Sequence, residues 1–162
     1  QPDRDLFHEL YRRGFVSTST AIVNRRAALA AGGFDTSLPN AQDFDLWLAI
    51  LKTPDAKLVV FPGAYTHHHV TRGSIQSFTE RRLTCCLRIA MRYAPDLKAH
   101  PGSQWFSFWF RLLAVHYECM VSHHQNKRFF SALWTACRFP VTMFRLSFQL
   151  ITRLNQNNAC GR

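Results

Sequence analysis

The stretch AGGFDTSLPNAQDFDLWL, residues 31–48, contains the signals that decide the predicted fold. Near its start is the glycine pair Gly32-Gly33, which follows an alanine-rich segment and is typical of a helix C-cap. After a turn, apolar residues recur at helical spacing over residues 41–52, and Asn40 is the expected N-cap of that helix. The stretch therefore predicts two short helices joined by a glycine-containing turn.

Segments with strand character lie on both sides of this stretch. Residues 15–23 alternate in polarity and are rich in Ser, Thr and β-branched residues, and residues 57–61 form a short apolar run before a Pro-Gly pair. A further extended segment is predicted over residues 64–70. The apolar spacing predicts helices over residues 3–13, 25–31, 41–52 and 74–93. The alternation predicts an α/β fold class for residues 1–95, with a few short strands and flanking helices.

The strand signals stop near residue 75, and the rest of the chain is predicted to be helical. Pro140 is expected in the first turn of the last helix, because proline is well tolerated there. The predicted helices span residues 103–122, 127–139 and 140–155. We therefore predict a second unit over residues 96–162, an all-helical, aromatic-rich extension.

The composition excludes some classes of protein. A chain of 162 residues that is 47% hydrophobic and 19% charged can bury a core, so wholesale disorder is excluded. The formal net charge is +10: residues 1–97 supply +3 (12 Lys and Arg against 9 Asp and Glu), and residues 98–162 supply +7 (8 against 1). The second part should therefore favour anionic partners such as lipid headgroups or nucleic acid.

The cysteine pattern and the N-terminal residues bear on the cellular compartment. The five cysteines form no Cys-x-x-Cys pair, so neither a disulfide framework nor a thiolate zinc site is predicted. Free thiols in a reducing compartment fit this pattern, and residues 1–5 are too polar for a signal peptide. We predict a cytoplasmic protein, and the missing initiator Met favours a piece of a longer one.

Three motifs follow one another in the first half of the chain: STAIVNRR at residues 19–26, AGGFD at 31–35 and QDFDLWL at 42–48. The later segments LVVF and HVTRGSIQS, at residues 58–61 and 69–77, complete the set. In this order and spacing the motifs resemble the acceptor half of the family-2 glycosyltransferases of GT-A fold. The resemblance covers about residues 5–95 and implies a partial GT-A-like domain.

The resemblance implies an inverting glycosyltransferase that moves a sugar from a nucleotide-sugar donor to a hydroxyl acceptor of a polysaccharide or glycolipid. Asp43 is implied as the catalytic base, because a carboxylate within hydrogen-bond reach can take the acceptor proton. Gly32 and Gly33 are implied to let the sugars approach the backbone. Asp45 and Trp47 are implied as acceptor contacts, although a structural partner for Asp45 and core burial for Trp47 are the stronger interpretations.

A divalent metal, Mg²⁺ or Mn²⁺, is also implied, with His69 or Arg72 as the group near the metal or the diphosphate. The chain departs from the family pattern, since Gln42 replaces a usual Glu and Ala49 a usual Arg. It also contains no N-terminal nucleotide-binding half, the part in which the family's Asp-x-Asp loop lies. The chain is therefore expected to supply only the acceptor side. The alternative is a catalytically silent accessory module that binds a membrane or a protein partner.

The extension favours an interfacial helix at an anionic membrane on its inner, cytoplasmic face. On a helical wheel, Arg138, Arg145 and Arg153 fall within a polar stripe that is expected to face solvent, and most other positions are apolar. A compact subdomain with its aromatic residues packed inward is the open alternative. No nucleic-acid partner is expected, because the basic residues are thinly spread and no binding motif is visible.

Overall fold

The structure, a computed structural model, describes residues 5–14, 16–53, 56–63, 65–67, 79–100 and 102–160. Every regular element within these ranges is helical. The α-helices are α1 (Leu6–Arg13), α2 (Arg25–Ala30), α3 (Gln42–Leu51), α4 (Thr79–Tyr93), α5 (Gln104–Gln125) and α6 (Phe129–Cys160). Two 3₁₀ helices, Thr18–Thr20 and Ala94–Ala99, lie between α1 and α2 and between α4 and α5.

The predicted α/β fold class is wrong, because the residues that the structure describes contain no strand and no sheet. Within the predicted strand over residues 15–23, Ser17 and Ala21 have extended backbones, but the residues between them form a 3₁₀ turn. Residues 56–63 have no regular structure. Alternating polarity indicates an extended backbone, whereas a strand needs a hydrogen-bonded neighbour. No partial GT-A-like sheet therefore forms in the described part.

The helices α1 and α3 begin in different ways. The Asp5 side chain accepts a hydrogen bond from the backbone N–H of His8 (2.9 Å), which is the expected N-cap contact for α1. For α3 the predicted cap Asn40 is wrong, because the N-cap residue is Ala41 in the left-handed region (φ 59°), with no side-chain cap. Gln42 instead fixes this turn, since its amide donates to the Leu38 carbonyl at 2.6 Å.

The helices α5 and α6 form the longest pair in the fold. Their turn is a Schellman motif, in which the N–H groups of Arg128 and Lys127 donate to the carbonyls of His123 and His124, each at 2.9 Å. The 32 residues of α6 make a helix about 48 Å long. The predicted break at Pro140 is wrong, since α6 continues through it. Residues on both sides of Pro140 pack against the core, which offsets the lost backbone hydrogen bond.

One hydrophobic core contains residues of both predicted units. Its buried members include Phe7, Leu10 and Tyr11 of α1, Leu46 and Leu48 of α3, Ile89 of α4, Leu112 of α5 and Leu150 of α6. Arg111 of α5 is also buried, and its guanidinium lies 4.3 Å from the centre of the Phe44 ring, a cation–π contact that joins α5 to α3. The motif-containing helix is therefore packed directly against the helical extension.

Among the helices that the structure describes, none is both long enough and apolar enough to cross a membrane.

We predict that Pro140→Ala stabilises the protein. Pro140 is exposed, so its replacement leaves no cavity, and alanine restores a backbone N–H within α6. The free energy of unfolding should rise by up to about 3 kcal/mol, the helix-interior difference between the two residues. Urea unfolding followed by circular dichroism measures the change, and Gln149→Ala, at an exposed position of the same helix, is the control. An unchanged or lower free energy of unfolding for Pro140→Ala would contradict the prediction.

Candidate functional site

Arg92 of α4 joins two of the three sequence motifs. Its Nη1 donates to both carboxylate oxygens of Asp45, on α3, at 2.8 Å each. Its Nη2 donates to Oδ2 of Asp35, in the loop after the glycine pair, at 2.6 Å. A single guanidinium therefore fixes the AGGFD loop relative to the QDFDLWL helix. Charge-assisted contacts of this kind are stronger than neutral hydrogen bonds.

The loop that contains Asp35 is tied to α4 at a second point. The Oδ1 atom of Asp35 accepts hydrogen bonds from the backbone N–H of Ser37 (2.9 Å) and from its hydroxyl (2.6 Å). Arg88, one helical turn before Arg92, donates to the Ser37 hydroxyl at 3.1 Å. Hydrogen bonds from Ser37 and Arg92 hold the pKa of Asp35 well below its usual range. Asp35 is therefore an ionised anchor of the loop.

Asp45 is buried, with a residue exposure of 4%. Burial raises its pKa, and the opposing attraction of Arg92 does not fully reverse that effect. Both of its side-chain oxygens bond to Arg92, and its backbone carbonyl accepts from the Tyr93 hydroxyl at 3.2 Å. These contacts agree with the structural interpretation of Asp45. Its implied contact with an acceptor stays a prediction.

Asp43 differs from Asp45 in both exposure and partners. It is partly exposed in the first turn of α3, where the helix dipole favours a carboxylate. Its Oδ1 accepts from the backbone N–H of Phe44 at 2.8 Å, and its Oδ2 accepts a short hydrogen bond from the Thr18 hydroxyl. Asp43 is thus already hydrogen-bonded to a hydroxyl group that comes from a distant segment of the chain.

The glycine pair forms the predicted end of α2. The N–H groups of Gly33 and Gly32 donate to the carbonyls of Ala28 (2.9 Å) and Leu29 (3.0 Å), which is a Schellman motif. Both glycines have positive φ, 96° for Gly32 and 69° for Gly33, and a Cβ at either would meet no atom within 4 Å. The backbone conformation accounts for glycine here, and the space beside it is open.

Trp47 lies in the core with 8% of its surface exposed. This burial agrees with the core interpretation. Its indole Nε1 is also buried and has no hydrogen-bond partner among the residues that the structure describes. Buried indole N–H groups usually have a partner.

The remaining predicted site residues are His69 and Arg72, and both lie outside the described residues. Their implied place near a metal or diphosphate stays a prediction. The carboxylates of Asp35 and Asp45 do not fit Mg²⁺ or Mn²⁺, because the Arg92 guanidinium lies between them and uses oxygens that a divalent cation would need. We therefore derive no catalytic step through a metal at this point.

Sequence reasoning missed Arg92 and Thr18. Both contacts join residues far apart along the chain, 47 positions for Arg92 and Asp45 and 25 for Thr18 and Asp43. One signal was available, because Arg88 and Arg92 are four residues apart and therefore lie on the same face of α4. The acidic residues that this face would meet could not be identified from spacing.

Comparisons with protein families, with curated proteins and with solved structures found no match for this chain.

The two buried tyrosines next to this site, Tyr11 and Tyr93, should make the free energy of unfolding fall at high pH. Burial raises the pKa of Tyr93 to about 12 and also raises that of Tyr11, whose hydroxyl donates to the Ala90 carbonyl at 3.0 Å. An unfolded chain loses these phenol protons near pH 10 while the folded chain retains them. The free energy of unfolding should therefore be unaffected below about pH 10 and fall as pH rises from 10 toward 12.

Urea midpoints measured between pH 9 and pH 11.5 test this dependence. The double variant Tyr11→Phe/Tyr93→Phe should show a flatter decline than the wild type. Tyr117→Phe, at an exposed position, should follow the wild type. Equal slopes for the double variant and the wild type would contradict the assignment.

Proposed function

We propose that this chain is the acceptor side of an inverting glycosyltransferase, in which Asp43 is the base that takes the proton from the acceptor hydroxyl. The observation that supports the proposal best is the contact between Asp43 and the Thr18 hydroxyl. It joins the third motif to the residue directly before the first motif, while Arg92 joins the second and third motifs. Three segments that are separate in sequence thus meet around one pair of aspartates.

The difference between the two aspartates supports the choice of Asp43. Asp45 is buried and has both oxygens on Arg92, so proton transfer from a bound hydroxyl would first need that ion pair to break. Asp43 is partly exposed, and one of its oxygens already accepts from a hydroxyl. A general base must lie within hydrogen-bond reach of the proton that it takes, and the partial exposure of Asp43 supports its choice over Asp45 for this role.

The proposed chemistry is a single displacement. The acceptor oxygen attacks the anomeric carbon of the donor sugar, its proton passes to Asp43, and the bond to the nucleoside diphosphate breaks. The N-terminus of α3 is a favourable position for the carboxylate of Asp43, because the helix dipole attracts negative charge there. The open space beside Gly32 and Gly33 is the proposed approach for the sugars. The donor site would lie in a nucleotide-binding half outside this chain.

We predict that Asp43→Asn, made in the protein encoded by the complete reading frame, lowers turnover by ~10²–10⁴, the range for loss of a general base. The amide keeps the shape of the side chain, so binding of the nucleotide-sugar donor should be unchanged. Release of nucleoside diphosphate in the presence of acceptor measures turnover, and calorimetry measures donor binding. Asp96→Asn is the matched control, because Asp96 forms an ion pair with Lys52 away from the motifs (2.8 Å).

Near wild-type turnover of the Asp43→Asn variant would leave this residue as a helix-capping group only. The reading frame upstream of Gln1 provides a quicker check. A preceding nucleotide-binding half that ends in an Asp-x-Asp loop supports the enzyme, and a start codon directly before Gln1 supports the silent accessory module.

The surface of α6 favours a second candidate function, binding to an anionic membrane surface. Apart from Phe129 at the first position, seven large apolar side chains of this helix are at least 45% exposed, and the exposed Cys137 lies among them. At 100° per residue, all eight fall within an arc of about 100°. We name them the α6 stripe: Phe130, Leu133, Trp134, Cys137, Val141, Phe144, Phe148 and Ile151. A continuous apolar surface of this kind is unusual for a monomer in water.

The basic residues of α6 agree only in part with the sequence prediction. Arg138 is half-buried and donates to Glu80 at 2.5 Å, so it does not face solvent as predicted. Arg145 and Arg153 are exposed, and Arg153 also donates to the Met91 carbonyl of α4 at 3.3 Å. The packed alternative also fails for the aromatic residues of the α6 stripe, because they point outward. On a membrane, the stripe would insert and Arg145, at its edge, would meet the headgroups.

We predict that Phe144→Ser/Phe148→Ser weakens binding to vesicles that contain phosphatidylglycerol by about tenfold or more. Each phenylalanine that inserts fully into the membrane contributes ~1.5–3 kcal/mol of burial energy, and serine removes that contribution. Co-sedimentation at two salt concentrations measures the binding. Phe61→Ser is the control, since Phe61 is 71% exposed but lies outside α6. Raising the salt should weaken the wild type, because salt screens the arginine–headgroup attraction. Wild-type protein that fails to sediment with anionic vesicles at either salt concentration would exclude this candidate.

A further inference from the structure

Three metal-ligating side chains come together where α4, α5 and α6 meet. Glu80 lies in the first turn of α4, while Cys119 and His123 are four residues apart on α5 and therefore share a face. Cys119 and His123 are both buried, with 3% and 4% of their surfaces exposed. None of the three belongs to the motifs discussed above. The sequence analysis predicted no thiolate zinc site, because the chain contains no Cys-x-x-Cys pair.

The donor atoms are spaced as a small tetrahedral metal site requires. The Nε2 atom of His123 lies 2.9 Å from Oε1 of Glu80, and Sγ of Cys119 lies 3.7 Å from the same oxygen. All three donor atoms lie within 4.8 Å of one another. Zinc bonds of ~2.3 Å to sulfur and ~2.0–2.1 Å to nitrogen or oxygen place tetrahedral ligand atoms roughly 3.3–3.6 Å apart. Small side-chain adjustments would therefore suffice.

The surroundings support the same geometry. Arg138 donates to the other oxygen of Glu80 at 2.5 Å, which leaves Oε1 directed at His123 and Cys119. The Thr135 hydroxyl donates to the Ser131 carbonyl (2.8 Å) and its oxygen lies 3.8 Å from Sγ of Cys119. Outer contacts of this kind orient ligands in metal sites. The two ligand charges and Arg138 would bring a bound dication to a net local charge of +1.

A cavity of about 260 Å³ adjoins the cluster, and Cys119 forms part of its wall together with Arg82, Cys86, Glu118 and Ser122. Three protein ligands beside an open space are typical of zinc sites that retain a fourth position for water. A mixed set of sulfur, nitrogen and oxygen donors suits zinc better than Mg²⁺, which prefers oxygen ligands.

We propose that Glu80, Cys119 and His123 form a zinc-binding site whose fourth ligand is water from the adjacent cavity. Binding forms a bond from zinc to Sγ and releases the thiol proton to solvent. His123 coordinates through Nε2 and then carries its ring proton at Nδ1. Because zinc binds the deprotonated thiolate, zinc binding weakens as pH falls. The site joins α4 to α5, and through Arg138 it reaches α6.

Cobalt titration of the 162-residue chain, stripped of metal with a chelator, tests the proposal. One equivalent of Co²⁺ should bind with the near-ultraviolet charge-transfer absorption of a cobalt–thiolate bond, and Zn²⁺ should displace it. Zinc should also raise the thermal unfolding midpoint, because it binds the folded state only.

Variants in which one proposed ligand is replaced at a time test which residues bind the metal. Cys119→Ser should abolish the charge-transfer band, and His123→Gln and Glu80→Gln should each weaken zinc binding by at least about tenfold. The matched controls are Cys137→Ser, an exposed thiol, and His124→Gln, the exposed neighbour of His123. Both controls should bind like the wild type. Circular dichroism without metal shows which variants fold, and conclusions rest on those that do.

Two results would overturn the site. The first is wild-type protein that binds no Co²⁺ or Zn²⁺, which would leave the cluster as a simple ion pair. The second is wild-type protein that binds Co²⁺ without a thiolate band, together with a Cys119→Ser variant that still binds Co²⁺. That outcome would assign the metal to other residues, such as the consecutive histidines at positions 67–69.

Discussion

The ion pairs of Arg92 with Asp35 and Asp45 are the contacts on which the motif region depends. This region has few regular elements. It consists of the short helices α2 and α3 and the loop between them, and no sheet supports them in the described part of the chain. Arg92 supplies the missing constraint by linking that loop and α3 to α4. Removing it would leave Asp45 buried and uncompensated, which costs far more than loss of an exposed ion pair. The position of Asp43, two residues from Asp45, follows from this anchoring.

The helix α4 is shared by the two candidate sites. Arg92 lies near its C-terminal end and Glu80 near its N-terminal end, about 18 Å apart along the helix axis. Each uses a charged side chain to reach a different neighbour: Arg92 bonds to α3 and its preceding loop, and Glu80 bonds to α5 and α6. A change at either end would therefore affect the packing of α4 as well as the local chemistry.

The α5–α6 pair distributes its residues in an unusual way. Leu146 and Leu150 pack inward, and Arg138 and Arg153 bond toward α4, while the aromatic residues of the α6 stripe face outward. The arginines pair with a carboxylate or a backbone carbonyl that the rest of the fold offers. The aromatic residues find no such partner in the described part of the chain. The proposed contact of the α6 stripe with a membrane is based on this arrangement.

The sequence by itself determined most of the helices, because periodic apolar residues and the glycine pair act within a few neighbouring positions. Strands failed because they need a distant hydrogen-bonded partner, and the helix through Pro140 was missed because distant packing offsets a local penalty. The sequence also selected Asp43 through its motif, but not its contact with Thr18. Only the tertiary structure decided that Arg92 joins Asp35 to Asp45. The same is true of the contact of Glu80 with Cys119 and His123. These side chains come together through helix packing, which cannot be inferred from spacing along the chain.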